Sequence, residues 1–522
     1  MTRIGVFGWG VVAPKSPDIQ AFERNLESAE TWLTPFNGFG PDTFLVGSPV
    51  FDFEVYRPWV ESRFPPSRFH QLKTKMGTPT LYAIGSYIQA LAQNPGLEDE
   101  LRRLDTKTHV YIGTGVGDIP TISDASIALY HAQRRWDRFW AEPCRNKAFK
   151  AWVAAGRPPD GVPADPATVG IDERDQIESR WWSYWAGRSP ELAEYLTELR
   201  AIEGENVEGL DIERAKLSML KHKQRRTRQL QEQWGAPEPP WKAVTANVIW
   251  NIHNTPASQI SMLGHYHGLS YAPIGACATF GVTLKLGMDA IRSGAATAVI
   301  IGAVEPVPHP VIVGSMYSAR VLSADADVSK PLHGLRGTHV AGGAVLWIVA
   351  DMDHMTAKGF KPIGMEPLSV GVSNDAHHII TPSKEGPLIA IRDALRDAGV
   401  SVDELSSWDL HATATPGDYL EVENLRDVVP ASVLVTARKG TFGHGMGAGG
   451  GWELTAQYLG YMRGKLYPTP LAESQLHPAI AGVHRLFVFD KACRVKPGPA
   501  GKLSMGVGGV NACVISRPLE DQ

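Results

Sequence analysis

The chain has few cysteines, and none of them stands in an arrangement typical of a metal site or a disulfide framework. Its 522 residues include only Cys144, Cys277, Cys493 and Cys513, which lie far apart without a CxxC pair or a Cys/His cluster at zinc spacing. We therefore expect no structural metal and no set of disulfides. A catalytic thiol remains open.

The chain also lacks an excess of positive charge and a long apolar run. It has 51 Lys and Arg against 55 Asp and Glu, whereas proteins that bind nucleic acid or anionic membranes need concentrated positive charge. No segment approaches the roughly 18 consecutive apolar residues of a membrane-spanning helix. The first residues lead into a predicted strand rather than a signal peptide. We expect a cytoplasmic, soluble protein that binds neither nucleic acid nor a membrane.

The most informative stretch runs from Ser270 to Glu305. Apolar residues recur at helical spacing from about Thr279 to Arg292, Gly294 follows as a stop signal, and Ala298 to Ile301 is an apolar run typical of a buried strand. Cys277 is thus predicted at the start of a helix. Because a helix N-terminus favours an anion, we expect a lowered thiol pKa and a nucleophilic thiolate. A buried core cysteine is the alternative.

Two histidines in the second half of the chain stand at predicted strand ends, each beside small residues. His411 opens the run His411-Ala412-Thr413-Ala414-Thr415, and His444 closes the run Lys439-Gly440-Thr441-Phe442-Gly443-His444. A single histidine in such a place is more often structural. Two of them with Cys277 form a Cys-His-His set, which supplies the nucleophile, hydrogen-bond donors and proton carriers of covalent catalysis.

Strands alternate with helices through the whole chain except for one segment. This alternation predicts mostly parallel sheets covered on both faces, in an N-terminal half of residues 1–360 and a C-terminal half of residues 361–522. Leu486 to Asp490 and Lys502 to Ser516 are predicted as closing strands. Residues 119–240 are instead charged and rich in tryptophan, and predict an inserted helical module with one helix over Ile212 to Trp234.

Together these motifs resemble the elongating β-ketoacyl-acyl-carrier-protein synthases of the thiolase-like superfamily. In that family a cysteine motif is followed by His-Gly-Thr-x-Thr, by Lys-x-x-x-Gly-His and by a Gly-rich strand ending in Asn-Ala. Here the order is Cys277, the run from His411, the run from Lys439, and Met505 to Ala512. The resemblance implies an α/β fold, namely the duplicated five-layer αβαβα thiolase-like fold with the helical module inserted.

The resemblance also implies an acyltransferase that condenses an acyl thioester with a malonyl-type carrier-protein thioester in fatty-acid-like or polyketide-like biosynthesis. Cys277 would carry the acyl group, while His411 and His444 would stabilise an enolate. An acyl-enzyme oxyanion would be bound by the backbone N–H groups of Cys277 and Val507, and the latter, with Gly508, would form the gate. The other implied site residues have supporting roles: Lys439, Thr413, Thr415 and Glu305. Asp418 and Glu421, like Glu305, are expected to form structural ion pairs.

No resident cofactor is implied, because phosphopantetheine would arrive on an acyl carrier protein. The other implied partner is a second synthase subunit, in a homodimer or in a heterodimer with a homologous chain. Two alternatives in the same fold stay open: an acyltransferase or decarboxylase that does not elongate, and a silent partner subunit that shapes another synthase's pocket. The insertion also allows two interpretations, since its aromatic residues from Trp181 to Trp185 could form a small core of their own or cover the acyl entrance.

Four departures from the family pattern affect the expected site. Ala412 replaces the usual Gly, and the loop from His411 to Asp418 is one residue shorter than the common one. Ala341 to Ala344 lacks the usual carboxylate. Met505-Gly506-Val507 replaces the gating Phe-Gly-Phe, which predicts a wider acyl entrance.

Overall fold

The computed structural model describes residues 2–40, 44–158, 161–205, 212–325 and 327–519, with only the backbone described at 212–215. The chain forms two compact units. One consists of Met1–Thr121 and Ile249–Gln522, and the other of Ile122–Val248. The first unit contains the two large sheets and every residue proposed above for the site.

The regular elements are numbered in chain order. The strands are β1 (Ile4–Val12), β2 (Thr34–Phe36), β3 (Phe44–Val46), β4 (Thr108–Gly113), β5 (Ser270–Tyr271), β6 (Ala298–Glu305), β7 (Gly343–Asp351), β8 (Met365–Asn374), β9 (Ser407–Asp409), β10 (Leu434–Thr436), β11 (Lys465–Leu466), β12 (Cys493–Arg494), β13 (Ala500–Gly506) and β14 (Val510–Pro518). The helices are α1 (Ile19–Leu26), α2 (Arg57–Glu61), α3 (Pro66–Lys75), α4 (Thr78–Leu91), α5 (Leu97–Leu104), α6 (Ile119–Ala141), α7 (Lys147–Ala154), α8 (Ile171–Ala186), α9 (Pro190–Glu203), α10 (Ile212–Trp234), α11 (Asn247–Trp250), α12 (Thr255–Gly264), α13 (Thr279–Arg292), α14 (Pro310–Ser318), α15 (Met352–Ala357), α16 (Glu385–Ala398), α17 (Gly417–Arg426), α18 (Lys439–Phe442), α19 (Met446–Met462) and α20 (Pro478–Val483).

The two five-stranded sheets have the same topology. Their strand orders are β1-β7-β6-β4-β5 and β8-β14-β13-β9-β10. In each sheet the strand that comes last in the chain, β7 or β14, lies between two others. It pairs antiparallel with the strand that comes first, β1 or β8, and antiparallel with the strand that precedes it in the chain, β6 or β13. The remaining two pairings are parallel in both sheets. The duplication that is hard to see in the residues is therefore plain in the connections.

The prediction of mostly parallel sheets is wrong. Each sheet has two antiparallel and two parallel pairings, because its last strand runs back between two others. In the second sheet this strand is reached by a tight turn at residues 507–509, so the apolar run predicted as one closing segment becomes the hairpin β13–β14. A hairpin requires antiparallel strands.

Helices cover both faces of each sheet. Helices α13 and α19 lie between the two sheets, where Phe280 and Tyr458 pack against Trp347 with ring centroids 5.1 and 4.8 Å apart. Helices α4 and α12 cover the outer face of the first sheet, and α16 covers that of the second. The layers therefore alternate as αβαβα, with α13 and α19 buried in the middle.

Local patterns predicted several element boundaries well. Helix α13 and helix α10 begin and end at the predicted residues. The segment from Leu486 to Asp490 is not a strand, since it makes only an isolated bridge between Phe487 and Val435. Its backbone also bonds to Thr469, so a short apolar segment at the sheet margin does not extend the ladder.

The second unit has an aromatic core of its own. Trp140, Trp181, Trp185 and Tyr195 are buried there, together with Trp136. Trp140 lies 5.2 Å from the ring of Tyr195 and 5.5 Å from that of Trp136. Trp181 and Trp185 thus belong to a small core of the second unit, as one of the two interpretations predicts. The covering of an acyl entrance stays a prediction.

Among the described residues, no helix combines the length and the apolar composition that crossing a membrane requires. The cytoplasmic location stays a prediction.

Candidate active site

The structure brings Cys277, His411 and His444 to one cavity of about 130 Å³. These three come from different elements: the turn before α13, the loop after β9 and the loop before α19. The cavity is further lined by Thr413, Thr415, Met505, Gly506, Val507 and the loop residues His378, Ile379 and Ile380. Of the other predicted site residues, Lys439 and Glu305 lie buried outside the lining, and Gly508 lies in the hairpin turn beside it.

Cys277 lies in a strained turn that leads directly into α13. The turn Ala276–Ala278 is a single 3-10 turn, and Ala276 has a φ of +47°, a value that non-glycine residues rarely adopt. The hydroxyl of Thr279 donates to the carbonyl of Ala276 and accepts from the N–H of Gly275. These bonds hold the turn in the conformation that presents the sulfur.

The hairpin β13–β14 closes on this turn. A Cβ at position 506 would lie 2.8 Å from the carbonyl oxygen of Gly275 and 3.1 Å from the nitrogen of Cys277, so only glycine permits the approach. The backbone N–H groups of Val507 and of Cys277 itself both interact favourably with the thiolate. Two backbone donors therefore meet at the sulfur.

The predicted lowering of the thiol pKa is wrong. Burial raises the pKa of Cys277 to about 11, although the N–H of Val507 and the charge of Lys439 act in the opposite direction. Desolvation penalises the thiolate more than the nearby donors and the single cation stabilise it. At neutral pH the group in the cavity is the thiol.

His411 is held through its backbone. Its N–H and that of Ala412 donate to the two carboxylate oxygens of Glu421, at 2.6 and 2.7 Å. Its carbonyl accepts from Nζ of Lys439 at 2.5 Å. Asp418 accepts from the next three N–H groups, those of Thr413, Ala414 and Thr415. Two buried carboxylates therefore shape the loop.

The predicted ion pairs are not what these carboxylates form. Among the residues that the structure describes, Asp418, Glu421 and Glu305 make no salt bridge. Glu305 accepts from the backbone N–H groups of Gly115, Val116 and Gly447. Burial raises the pKa of Glu305 and of Glu421 to about 8. All three carboxylates fix loops around the cavity by accepting backbone hydrogen bonds.

His444 has a defined tautomer. Its Nδ1 accepts the N–H of Met446 at 3.2 Å, so the proton is on Nε2. Its own N–H donates to the carbonyl of His339, and its carbonyl accepts from Ala341. The rings of His411 and His444 lie 5.4 Å apart and nearly perpendicular.

Both histidines are neutral at physiological pH. Burial lowers the pKa of His411 and of His444 well below the ordinary value, and the charges of Lys439 and Lys502 lower both further. A neutral imidazole can donate one hydrogen bond without carrying a charge into the cavity. The site thus offers neutral donors beside a neutral thiol.

A buried group of charges lies beneath the histidines. It comprises two carboxylates and three cations: Asp409, Glu453, Arg438, Lys439 and Lys502. Glu453 pairs with Lys439 at 2.6 Å and with Lys502 at 2.8 Å. Asp409 pairs with Arg438 at 3.2 Å and with Lys502 at 3.5 Å. We refer to these five residues as the buried charge cluster.

Sequence reasoning found only Lys439 of this cluster. Lys502 interrupts an otherwise uncharged strand, and Glu453 lies in a helix whose residues 446–460 are all buried. A charge within a buried run needs a partner of opposite charge, and this signal could have singled out both residues. Their pairing with each other could not be read from the sequence.

Comparison with known protein families agrees with this geometry. Residues 218–353 match the N-terminal domain and residues 366–472 the C-terminal domain of the β-ketoacyl synthases. The chain belongs to the β-ketoacyl synthase family. The predicted family is thereby confirmed.

This β-ketoacyl synthase family member is also similar to individual curated proteins. A chloroplastic 3-oxoacyl-[acyl-carrier-protein] synthase I from Arabidopsis thaliana is 32% identical over 212 residues, which cover 39% of this chain and 45% of that protein. The chain spans about half the length of the curated relatives that it matches.

Two solved structures share the fold of this family member. The ishigamide ketosynthase/chain length factor has a TM-score of 0.69 at 18% identity, over 99% of this chain and 100% of that one. A type II polyketide synthase acyl-carrier protein in complex with its ketosynthase bound to the hexaketide gives a TM-score of 0.64 at 16% identity, over 99% and 100%. The predicted thiolase-like fold is confirmed.

The raised pKa of the Cys277 thiol predicts a specific pH dependence of alkylation. Since only the thiolate reacts, the rate of Cys277 labelling by iodoacetamide should rise by about tenfold per pH unit from pH 6.5 to 9.5 without a plateau. Peptide mapping measures the label at Cys277, and Cys277→Ser is the blank. A plateau below pH 8.5 would instead show the low-pKa thiolate of a helix start.

Proposed function

We propose that the protein is a β-ketoacyl synthase that catalyses decarboxylative Claisen condensation of an acyl thioester with a malonyl-type carrier-protein thioester, in fatty-acid-like or polyketide-like biosynthesis. The observation that carries the proposal is the meeting of Cys277, His411 and His444 in one cavity. A nucleophile and two neutral donors satisfy the two needs of this reaction, which are a covalent acyl carrier and a stabilised enolate.

In the first step the sulfur of Cys277 attacks the carbonyl carbon of the acyl thioester. The new oxyanion accepts hydrogen bonds from the backbone N–H groups of Cys277 and Val507, which already point to the sulfur. The carrier thiolate then leaves and takes the proton that Cys277 gives up. Because the thiol is neutral at the start, no net charge enters the cavity.

In the second step a malonyl thioester loses carbon dioxide. The electrons of the broken C–C bond form an enolate, whose oxygen accepts the Nε2–H of His444 and a second hydrogen bond from His411. The neutral state of both rings makes them donors matched to a charge that develops only during the reaction. The enolate carbon then attacks the acyl group, the C–S bond breaks, and Cys277 leaves as a thiolate. Because its pKa is high, the thiolate takes up one proton from solvent and the neutral thiol is restored.

The entrance suits a long pantetheine arm. Val507, Ile379 and Ile380 are exposed apolar residues along the lining. Thr413 and Thr415 lie next to them with hydroxyl oxygens 3.0 Å apart, and such hydroxyls can bond to the amide groups of pantetheine. The arm would thus enter along the hairpin turn at Val507 and bond to the two threonines of the same lining.

Intact-mass spectrometry tests this function. Incubated with a panel of acyl carrier proteins, the protein should gain one acyl mass, and Cys277→Ala should gain none, because the sulfur that accepts the group is missing. Cys144→Ala is the matched control and should be acylated normally. An acyl mass on the Cys277→Ala variant would overturn the assignment.

We also infer that the protein forms a homodimer through the edge of the first sheet. Strand β5 has only two residues and is the last strand of that sheet. Three exposed apolar residues, Met262, Leu269 and Ile274, flank it. An unprotected edge with apolar neighbours is a site for pairing with another chain. A structural neighbour named as a ketosynthase with its chain length factor supports the alternative of a homologous partner.

Sedimentation of the purified chain separates the two possibilities. A homodimer should sediment with twice the 56.8 kDa mass of the chain at micromolar concentration, and Leu269→Asp should weaken it because a charge would be buried at the interface. Lys358→Asp is the control, because Lys358 is exposed and belongs neither to β5 nor to the residues that flank it. A monodisperse monomer would contradict the homodimer and favour a homologous partner chain.

A further inference from the structure

Lys502 is a lysine in an unusual place. It lies on β13 with a side chain only 1% exposed, and its neighbours Gly501 and Leu503 are buried as well. Transfer of an ammonium group from water to such a place is costly unless opposite charges and hydrogen bonds compensate it. The contacts of Lys502 therefore identify the groups that compensate its buried charge.

Lys502 and Lys439 share Glu453, and each also binds one of two consecutive backbone carbonyls. Oε1 of Glu453 accepts from Nζ of Lys439 at 2.6 Å, and its Oε2 pairs with Nζ of Lys502 at 2.8 Å. The carbonyl of His411 accepts from Lys439 at 2.5 Å, and the carbonyl of Leu410, the residue before it, accepts from Lys502 at 3.1 Å. One ammonium comes from α18 and the other from β13. Two consecutive peptide groups next to the histidine are thus held from two sides.

The charge of Lys502 also acts on the histidine rings. It lowers the pKa of both His411 and His444, in addition to burial and to Lys439. Burial alone would lower the pKa of Lys502, but Glu453 and Asp409 outweigh this and raise it, so the ammonium is retained. Charged and titratable groups surround the His411 segment from every side. They are Lys439 of α18, Arg438 before it, Lys502 of β13, Glu421 and Asp418 of α17, Glu453 of α19, Asp409 of β9, and His444, Cys277 and His378 of the cavity lining.

We propose that Lys502 is a positioning residue of the active site: its ammonium group holds the backbone before His411 and places a fixed positive charge beneath the His411 and His444 rings. This proposal rests on the proposed function, in which both rings donate to the enolate. Loss of the ammonium would remove a positive charge, so the histidines would accept protons at a higher pH. Activity would then be lost earlier as the pH falls.

The pH dependence of malonyl-thioester decarboxylation tests the proposal. In Lys502→Met, a variant of similar length without the charge, the acid limb of the rate profile should move up by about 1 pH unit. Lys502→Arg keeps the charge and should keep the acid limb of the parent protein, even if its rate is lower. Lys358→Met removes an exposed lysine and should change neither the rate of decarboxylation nor the position of the acid limb.

Two results would overturn the proposal, and a third would contradict the proposed function. An unchanged acid limb in a folded Lys502→Met variant would overturn the proposal, since a merely structural role would lower the rate equally at every pH. An equal shift in Lys502→Arg would overturn it too, because the charge is still present there. A parent protein without decarboxylase activity would contradict the proposed function instead.

A second measurement needs neither activity nor a folded Lys502→Met variant. Nitrogen NMR of the ¹⁵N-histidine-labelled parent protein, with His411→Ala and His444→Ala for assignment, reports the protonation of each ring. Both rings should remain neutral at pH 6, and Lys502→Arg should behave in the same way. Protonation of either ring in the parent protein at pH 6 or above would contradict the proposal.

Discussion

The pairing of Glu453 with Lys439 and Lys502 is the interaction on which the site depends. It joins α18, α19 and β13, and through the carbonyls of Leu410 and His411 it reaches the end of β9. Removal of one partner from a buried pair typically costs about 3–5 kcal/mol because the other charge is left uncompensated. The buried pairs therefore hold α18, α19, β13 and the end of β9 in one arrangement. This arrangement also fixes the positions of the two histidines.

Desolvation above a charged base explains the state of the reactive groups. Burial raises the pKa of the Cys277 thiol and lowers that of both histidines, so desolvation acts on all three in the direction of neutrality. The charge of Lys439 favours the thiolate, and the charges of Lys439 and Lys502 disfavour an imidazolium. A neutral resting site next to fixed positive charge stabilises negative charge only when the reaction creates it, which is the condition for lowering a barrier rather than tightening ground-state binding.

Local sequence patterns predicted the elements and the motifs, but not the environment. The spacing of apolar residues located α13 and the adjoining turn of Cys277, and a strand end with small residues located His411. The prediction of a strand end before His444 is wrong, since the short helix α18 precedes it. The antiparallel return of β7 and of β14 depends on contacts between distant segments. The thiol pKa depends on how deeply the turn is buried, which a helix start does not reveal. Lys502 and Glu453 carried a signal in their own positions, yet they meet only because the second sheet and α19 pack together.

In the proposed reaction, two neutral histidines stabilise the enolate while Cys277 alone accepts the acyl group. The most direct test compares carbon dioxide release from malonyl-acyl carrier protein with acyl transfer to Cys277 in His444→Ala and in His444→Gln, which retains an N–H donor. His444→Ala should release carbon dioxide roughly 10²–10³-fold more slowly, with acyl transfer changed by less than about threefold, and His444→Gln should recover part of the loss. Near-normal carbon dioxide release by His444→Ala, or an equal loss of both activities, would contradict the account.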